Sequence, residues 1–275
     1  MIDEKASLPR YDYMAKLTRS RWAWEALRRN ADFRADAACR PKGELSRKEA
    51  CRNITIIKPR IDQTIAESWG LAFIPDPNLN ALDADVFWSD GIYPRKLTVQ
   101  VSPRQPSEMC EIYERTTSVC RVVHFSDRVG REQLLLKTRD CVVQVRCEGL
   151  SLLSLEPVRM KVVFDKFSEL DAKLKLLERA MELYGDPKLD DAPRWTRETL
   201  ALRNAMIALD CIEAGLSHFD CAKIIYGLQR AAADWKAPGG AMKSEMKRAF
   251  RKGVYLREGG YRDLLSSQKV KRLAA

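Results

Sequence analysis

Histidine is scarce: His124 and His218 are the two in 275 residues. Neither stands in a metal-binding motif such as H-E-x-x-H, and each reads more simply as a packed or capping residue than as a base. The nucleophile motif G-x-S-x-G and the phosphate loop G-x-x-x-x-G-K-[ST] are missing as well. Eight cysteines are present, but no two form a C-x-x-C pair, so zinc-finger chemistry has no framework here. They read as small apolar core residues rather than disulfide partners. No run approaches the ~18 consecutive apolar residues of a membrane helix. The N-terminus is charged from Asp3 onward and has no apolar segment typical of a secretory signal. These absences lead to the expectation of a cytoplasmic protein that is not an enzyme and holds no cofactor and no metal.

What the chain has in excess is positive charge. Lys and Arg number 48 against 38 Asp and Glu, a formal net of +10. The excess is uneven. Residues 1–60 carry 15 basic and 8 acidic side chains, residues 61–195 carry 18 and 22, and residues 196–275 carry 15 and 8. Two basic ends therefore flank an acidic centre. The last forty residues hold 11 Lys or Arg and 3 Asp or Glu, a density suited to phosphate.

The hydrophobic pattern divides the chain into three regions. In 1–60, Thr18 or Ser20 can cap a helix bearing Trp22, Ala26 and Leu27, and a second short helix follows from Ala31 to Cys39. Residues 40–60 read as a linker with a short strand at Ile54–Ile57. In 61–166 the period is that of strands. The runs are Asp85–Trp88, Lys96–Val101, Val119–Phe125, Gln133–Lys137, Cys141–Cys147 and Val158–Phe164, separated by tight turns. Strands without intervening helices indicate an antiparallel sheet. Cys141, Val143, Val145 and Cys147 share one face, assigned to the core.

Residues 167–275 are helical. Phe167, Leu170, Leu174, Leu177, Met181 and Tyr184 form one apolar stripe, stopped at Gly185-Asp186-Pro187 and followed by a linker over 188–194. Thr196 caps the next helix, with Leu202, Ala205, Met206 and Leu209 along one side. Ser217 caps a short helix that Gly227 ends. A loop with Trp235 and Pro238-Gly239-Gly240 follows. A last helix runs from about Ala241 to Leu256 with Met242, Met246, Ala249, Phe250 and Gly253 as its apolar side. Its other side holds Lys243, Ser244, Lys247, Arg248, Arg251 and Lys252, with Arg257 just beyond.

A capped short helix followed by one with an apolar back and a basic front is the order of a helix-turn-helix unit. The connection of about a dozen residues is longer than the usual turn, so the unit over about 196–265 is a variant. Lys and Arg on its exposed face can contact phosphates, and Arg can read guanine edges. The same face fits a helical module that binds protein instead. The expected fold class is α+β: a small N-terminal helical module, a central antiparallel β-sheet region and a C-terminal helical domain.

Three blocks carry a family resemblance. Tyr11-Asp12-Tyr13 with Trp22-Ala23-Trp24-Glu25-Ala26-Leu27-Arg28-Arg29-Asn30 resembles a proteobacterial transcriptional regulator-like module. Trp69-Gly70-Leu71-Ala72-Phe73 with Asp76-Pro77 and Asp85-Val86-Phe87-Trp88 resembles the sheet region of the same proteins. Ile225-Tyr226-Gly227, Asp234-Trp235-Lys236, Lys247–Lys252 and Gly259-Gly260-Tyr261-Arg262-Asp263-Leu264-Leu265 resemble their C-terminal helix-turn-helix variant, formerly a domain of unknown function. Proteins of this kind belong to integrative and conjugative elements of rhizobia and relatives. The resemblance implies an activator of excision genes that binds double-stranded promoter DNA and works with RNA polymerase. It also implies an antiactivator partner with a related C-terminal domain. Shorter relatives are themselves antiactivators that bind protein, which keeps a protein-binding or relaxosome-accessory role open for this chain.

Overall fold

The computed structural model describes residues 8–51, 53–94, 96–105, 107–108, 120–139, 141–154, 156–164, 170–183 and 195–266, the side chains of 51, 179 and 182 excepted. Expectations for Val119, Phe167, Tyr184, the stop at 185–187 and the linker at 188–194 lie outside the described residues. The fold is mixed α and β, with a seven-stranded, mostly antiparallel sheet and a helical C-terminal region. The chain forms two compact units, Met1–Phe33 with Leu189–Leu264 and Arg34–Lys188 with Leu265–Ala275. These bounds differ from the expected 1–60, 61–166 and 167–275, because an apolar stripe says that a face is buried but not against what.

In the helical unit a 3₁₀ turn (Leu8–Lys16) leads into α1 (Arg19–Leu27), capped by Thr18. Trp22, Trp24, Ala26 and Leu27 of α1 are fully buried, and Trp24 meets Phe33 edge-on at 5.7 Å at the start of α2 (Ala31–Ala38).

The sheet unit contains β1 (Leu45–Cys51), β2 (Ile54–Pro59), the short α3 (Thr64–Ser68), β3 (Leu97–Pro103), β4 (Arg121–Ser126), β5 (Glu132–Lys137), β6 (Val142–Gly149), β7 (Val158–Val163) and α4 (Leu170–Glu182). Strand order is β1-β2-β4-β5-β6-β3-β7. Two pairings, β2 with β4 and β3 with β6, are parallel. Alternation sorts the side chains between two cores. Val122, Leu134, Leu136, Cys141, Val143 and Val145 face α4, which contributes Leu176 and Ala180, with Leu183 directly after it. Ile57, Val123, Phe125 and Leu135 face Phe73 and Phe87 on the other side.

Three elements differ from the sequence reading. β1 lies where the sequence predicts a linker, because Arg47, Lys48 and Glu49 break any apolar alternation; it is an edge strand held by its backbone pairing with β2. Asp85–Trp88 is not a strand. It makes one isolated bridge, Leu71 to Trp88, and is tied to the sheet through Asp85, which takes Lys137 Nζ at 3.1 Å and Arg121 at 3.0 Å. On α4 the side facing the sheet holds Leu176 and Ala180, with Leu177 of the expected stripe partly buried against the same core and Leu183 just past the helix end. Leu174 and Met181, expected on the buried stripe, are 42% and 64% exposed. Several aliphatic residues distributed round one helix give two competing stripes, and packing selects between them.

Candidate nucleic-acid interface

The interface is built on α5 (Arg197–Glu213), whose N-terminus carries a capping box between Thr196 and Thr199. Leu202, Ala205, Met206, Ile207 and Leu209 of α5 are buried. Three helices follow: α6 (His218–Tyr226), α7 (Leu228–Trp235) and α8 (Ala241–Tyr255). Ser217 caps α6 through a reciprocal pair of bonds with Asp220. Lys223 and Ser217 bring the Asp220 carboxyl down to about 2. Gly227, at φ +81°, turns the chain in one residue, which a side-chain-bearing residue rarely does.

That turn leads straight into α7, the element missed from the sequence. Glycines at both ends made the segment look like a loop. Its interior, Ala231-Ala232-Ala233, has high helix propensity and was the available signal. The connection thereby resolves into a one-residue turn, an eight-residue helix and a five-residue turn, Lys236–Gly240. Gly240, in the left-handed region at φ +59°, precedes α8 and leaves its first-turn amides without a side-chain cap.

α8 crosses α5 at very close range. A Cβ on Gly253 would stand 2.6 Å from the Ala205 carbonyl oxygen, so glycine is required there. Met242 and Met246 of the same helix are buried. Phe250, expected in the core, is half-buried and lies edge-on to His218 at 5.8 Å. It closes the α6–α8 junction rather than filling the centre, since Gly253 and the methionines occupy the approach to α5.

The outward face carries Lys243, Ser244, Lys247, Arg248 and Arg251, all exposed. Lys243 to Arg251 spans about 12 Å at 1.5 Å per residue, comparable to the ~12 Å width of the DNA major groove. Among the described residues, none of Lys243, Lys247, Arg248 and Arg251 forms an ion pair, whereas several other cations of this unit are held. Arg29 grips Asp210 at 2.6 Å and Glu25 at 2.7 Å, Arg19 pairs with Glu198 at 2.8 Å, Lys223 with Asp220 at 2.6 Å and Arg230 with Asp234 at 3.4 Å. The single carboxylate of α8, Glu245, accepts the Tyr226 hydroxyl and turns away from the basic stripe. Lys243 also sits 5.8 Å from the Trp235 ring centre.

Two further sequence candidates are placed differently. Arg257 is bound by Glu213 and, at 2.6 Å, by Glu258, so its charge is largely spent. Lys252 is half-buried, and burial lowers its amine despite the attraction of Glu198. The stripe that remains free is therefore Lys243 to Arg251.

Comparison with known families adds two matches. Residues 163–266 match a RovC-type domain described as T6SS, Transcription factor, DNA binding domain. Residues 5–74 match the Proteobacterial transcriptional regulator-like domain. No curated protein matches the chain. Both matched segments are regulatory in description, and together they support a DNA-binding transcriptional regulator. The basic stripe of α8 lies within the matched DNA-binding segment. Among the described residues no helix is long and apolar enough to cross a membrane.

Proposed function

We propose that this chain is a sequence-specific regulator of transcription that holds duplex promoter DNA on the outer face of α8. One observation carries the reading: Lys243, Lys247, Arg248 and Arg251 form an exposed stripe with no ion pair among the described residues, while Arg29, Lys223 and Arg257 of the same unit are held by carboxylates. Unpaired cations on a rigid helix meet phosphates without first breaking a protein ion pair. Ser244 and the uncapped amides after Gly240 suit the same backbone. Lys252 and Arg257 act from behind the stripe, one through its aliphatic stem and the other by fixing the end of α8. The helix-turn-helix variant covers about 196–265.

The finer role rests on the resemblance of the three sequence blocks. It is that of an activator of excision and transfer genes of an integrative and conjugative element. It acts in the cytoplasm with RNA polymerase and is restrained by an antiactivator built on a related C-terminal domain. Selection of bound fragments from sheared genomic DNA, followed by gel shifts across a salt series, tests both levels. DNA binding with a steep salt slope and enrichment of mobile-element promoters is expected. Enrichment of unrelated promoters removes the finer role, and absence of DNA binding removes the reading.

A further inference from the structure

The sheet unit contains a half-open cavity of about 710 Å³, within the ~300–1,000 Å³ of small-molecule sites. It opens where the C-terminal ends of β2, β4 and β6 come together beside the start of β5. Its base is apolar: Leu71 and Phe125 are buried there, with Ala72 and Cys147 half-buried.

Its walls are charged, with six carboxylates against three guanidinium groups. Much of that charge is matched locally. Asp62 takes Arg128, Asp127 takes Arg131 at 2.6 Å, and Asp90 takes both Lys96 at 2.5 Å and Arg146 at 2.8 Å. The surplus is negative and falls on two exposed residues. Glu67 has no ion pair among the described residues. Glu148 lies 3.9 Å from an arginine already engaged by Asp90. Glu132, only 5% exposed, is already engaged: His124 Nε2 lies 3.3 Å away, the Ser151 hydroxyl and the Leu152 amide donate to its two oxygens, and together they hold its carboxyl low against the burial that would raise it.

We propose that this cavity binds a small organic cation, an ammonium or guanidinium carried on an apolar body. The body lies against Leu71, Ala72 and Phe125, and the cation faces the surplus carboxylates of Glu67 and Glu148. An anion meets guanidinium groups that are already paired and carboxylates that repel it. A cation without an apolar body leaves the base of the cavity unfilled.

The test titrates the full chain by calorimetry with methylammonium, butylammonium, 2-phenylethylammonium and tryptammonium, and with phenylacetate as the charge-reversed control. Affinity is expected to rise at least about tenfold from the smallest body to the aromatic ones, as apolar burial dictates, with phenylacetate not bound. Glu67→Gln with Glu148→Gln, both near the rim, is expected to weaken 2-phenylethylammonium by about fivefold or more. Ala72→Phe is expected to block it. The Arg248→Ala, Arg251→Ala variant is expected to bind the amine unchanged, which separates this site from the DNA reading. Failure of the whole series to bind, equal binding of phenylacetate, or indifference to the double Gln substitution in a folded protein overturns the proposal.

Discussion

In the sheet unit charge is turned inward. Asp85 is buried among Lys137, Arg121 and Arg47, and its carboxyl is held low because those cations outweigh the burial that would raise it. Lys96 is buried too, and desolvation pulls its amine down to about 8 although Asp90 sits beside it. In the helical unit, α8 turns charge outward, and Lys247, Arg248 and Arg251 are exposed and form no ion pair among the described residues. A buried pair fastens a loop to a sheet and is costly to break; an exposed stripe adds little to stability and is available to a partner. Composition is similar in the two regions, so what separates their roles is whether each charge finds a counter-charge when the chain folds.

The inward-turned charge is most vulnerable at Asp85. Asp85→Asn leaves the buried Lys137 ammonium without its carboxylate, and a loss of about 3–5 kcal/mol is expected. Urea unfolding of the variant measures it. A loss below about 1 kcal/mol, the range of surface pairs, would show that the network is no more than a surface pair.

Next in size is Gly253→Ala. The added methyl meets the Ala205 carbonyl at 2.6 Å and Leu209 at 3.1 Å, so α8 must shift on α5. About 1–3 kcal/mol of overpacking is expected, with weaker DNA binding because the stripe moves with its helix. Unaltered melting together with unaltered binding would mean that α8 is not held against α5 as described.

Arg248→Ala and Arg251→Ala sharpen the outward side of the contrast. Each is expected to lower the salt slope of DNA binding by about 1 if it meets a phosphate, or to cost about 1–3 kcal/mol if it reads a base. Stability should stay within about 0.5 kcal/mol. Promoter affinity that survives the double substitution in a folded protein would remove α8 from the interface.

The smallest effect concerns the capping box of α6. Ser217→Ala is expected to cost about 1 kcal/mol. The Asp220 carboxyl titrates at about 2 in the folded chain, against about 3.9 when unfolded. Its contribution is therefore complete above the unfolded value and is lost as pH falls through the folded one. Thermal melts between pH 5 and 2 of the parent and of Asp220→Asn should converge at the acid end. Curves that run parallel throughout would show that the carboxylate does not stabilise the cap.

Local signals were legible in the sequence because they act over a few residues. Thr18, Thr196 and Ser217 cap helices where their hydroxyls reach the first-turn amides, and β3 to β7 follow the alternation of their side chains. The basic front of α8 could be read for the same reason, since a helix places residues 243, 247 and 251 on one side whatever surrounds it. Tertiary structure decided the rest. It chose Leu176 and Ala180 over Leu174 and Met181 as the buried side of α4, and it paired the charge-rich β1 by its backbone. Through Arg29 and Asp210 it joined the first helices to α5, and through Glu213 and Glu258 it withdrew Arg257 from the free stripe. Each of these depends on a partner outside the segment itself, as Arg29 on Asp210 or the β1 backbone on β2, or on a choice between two equally apolar faces. Periodicity reports only the preferences of a segment, and a partner distant in the chain is supplied by folding alone.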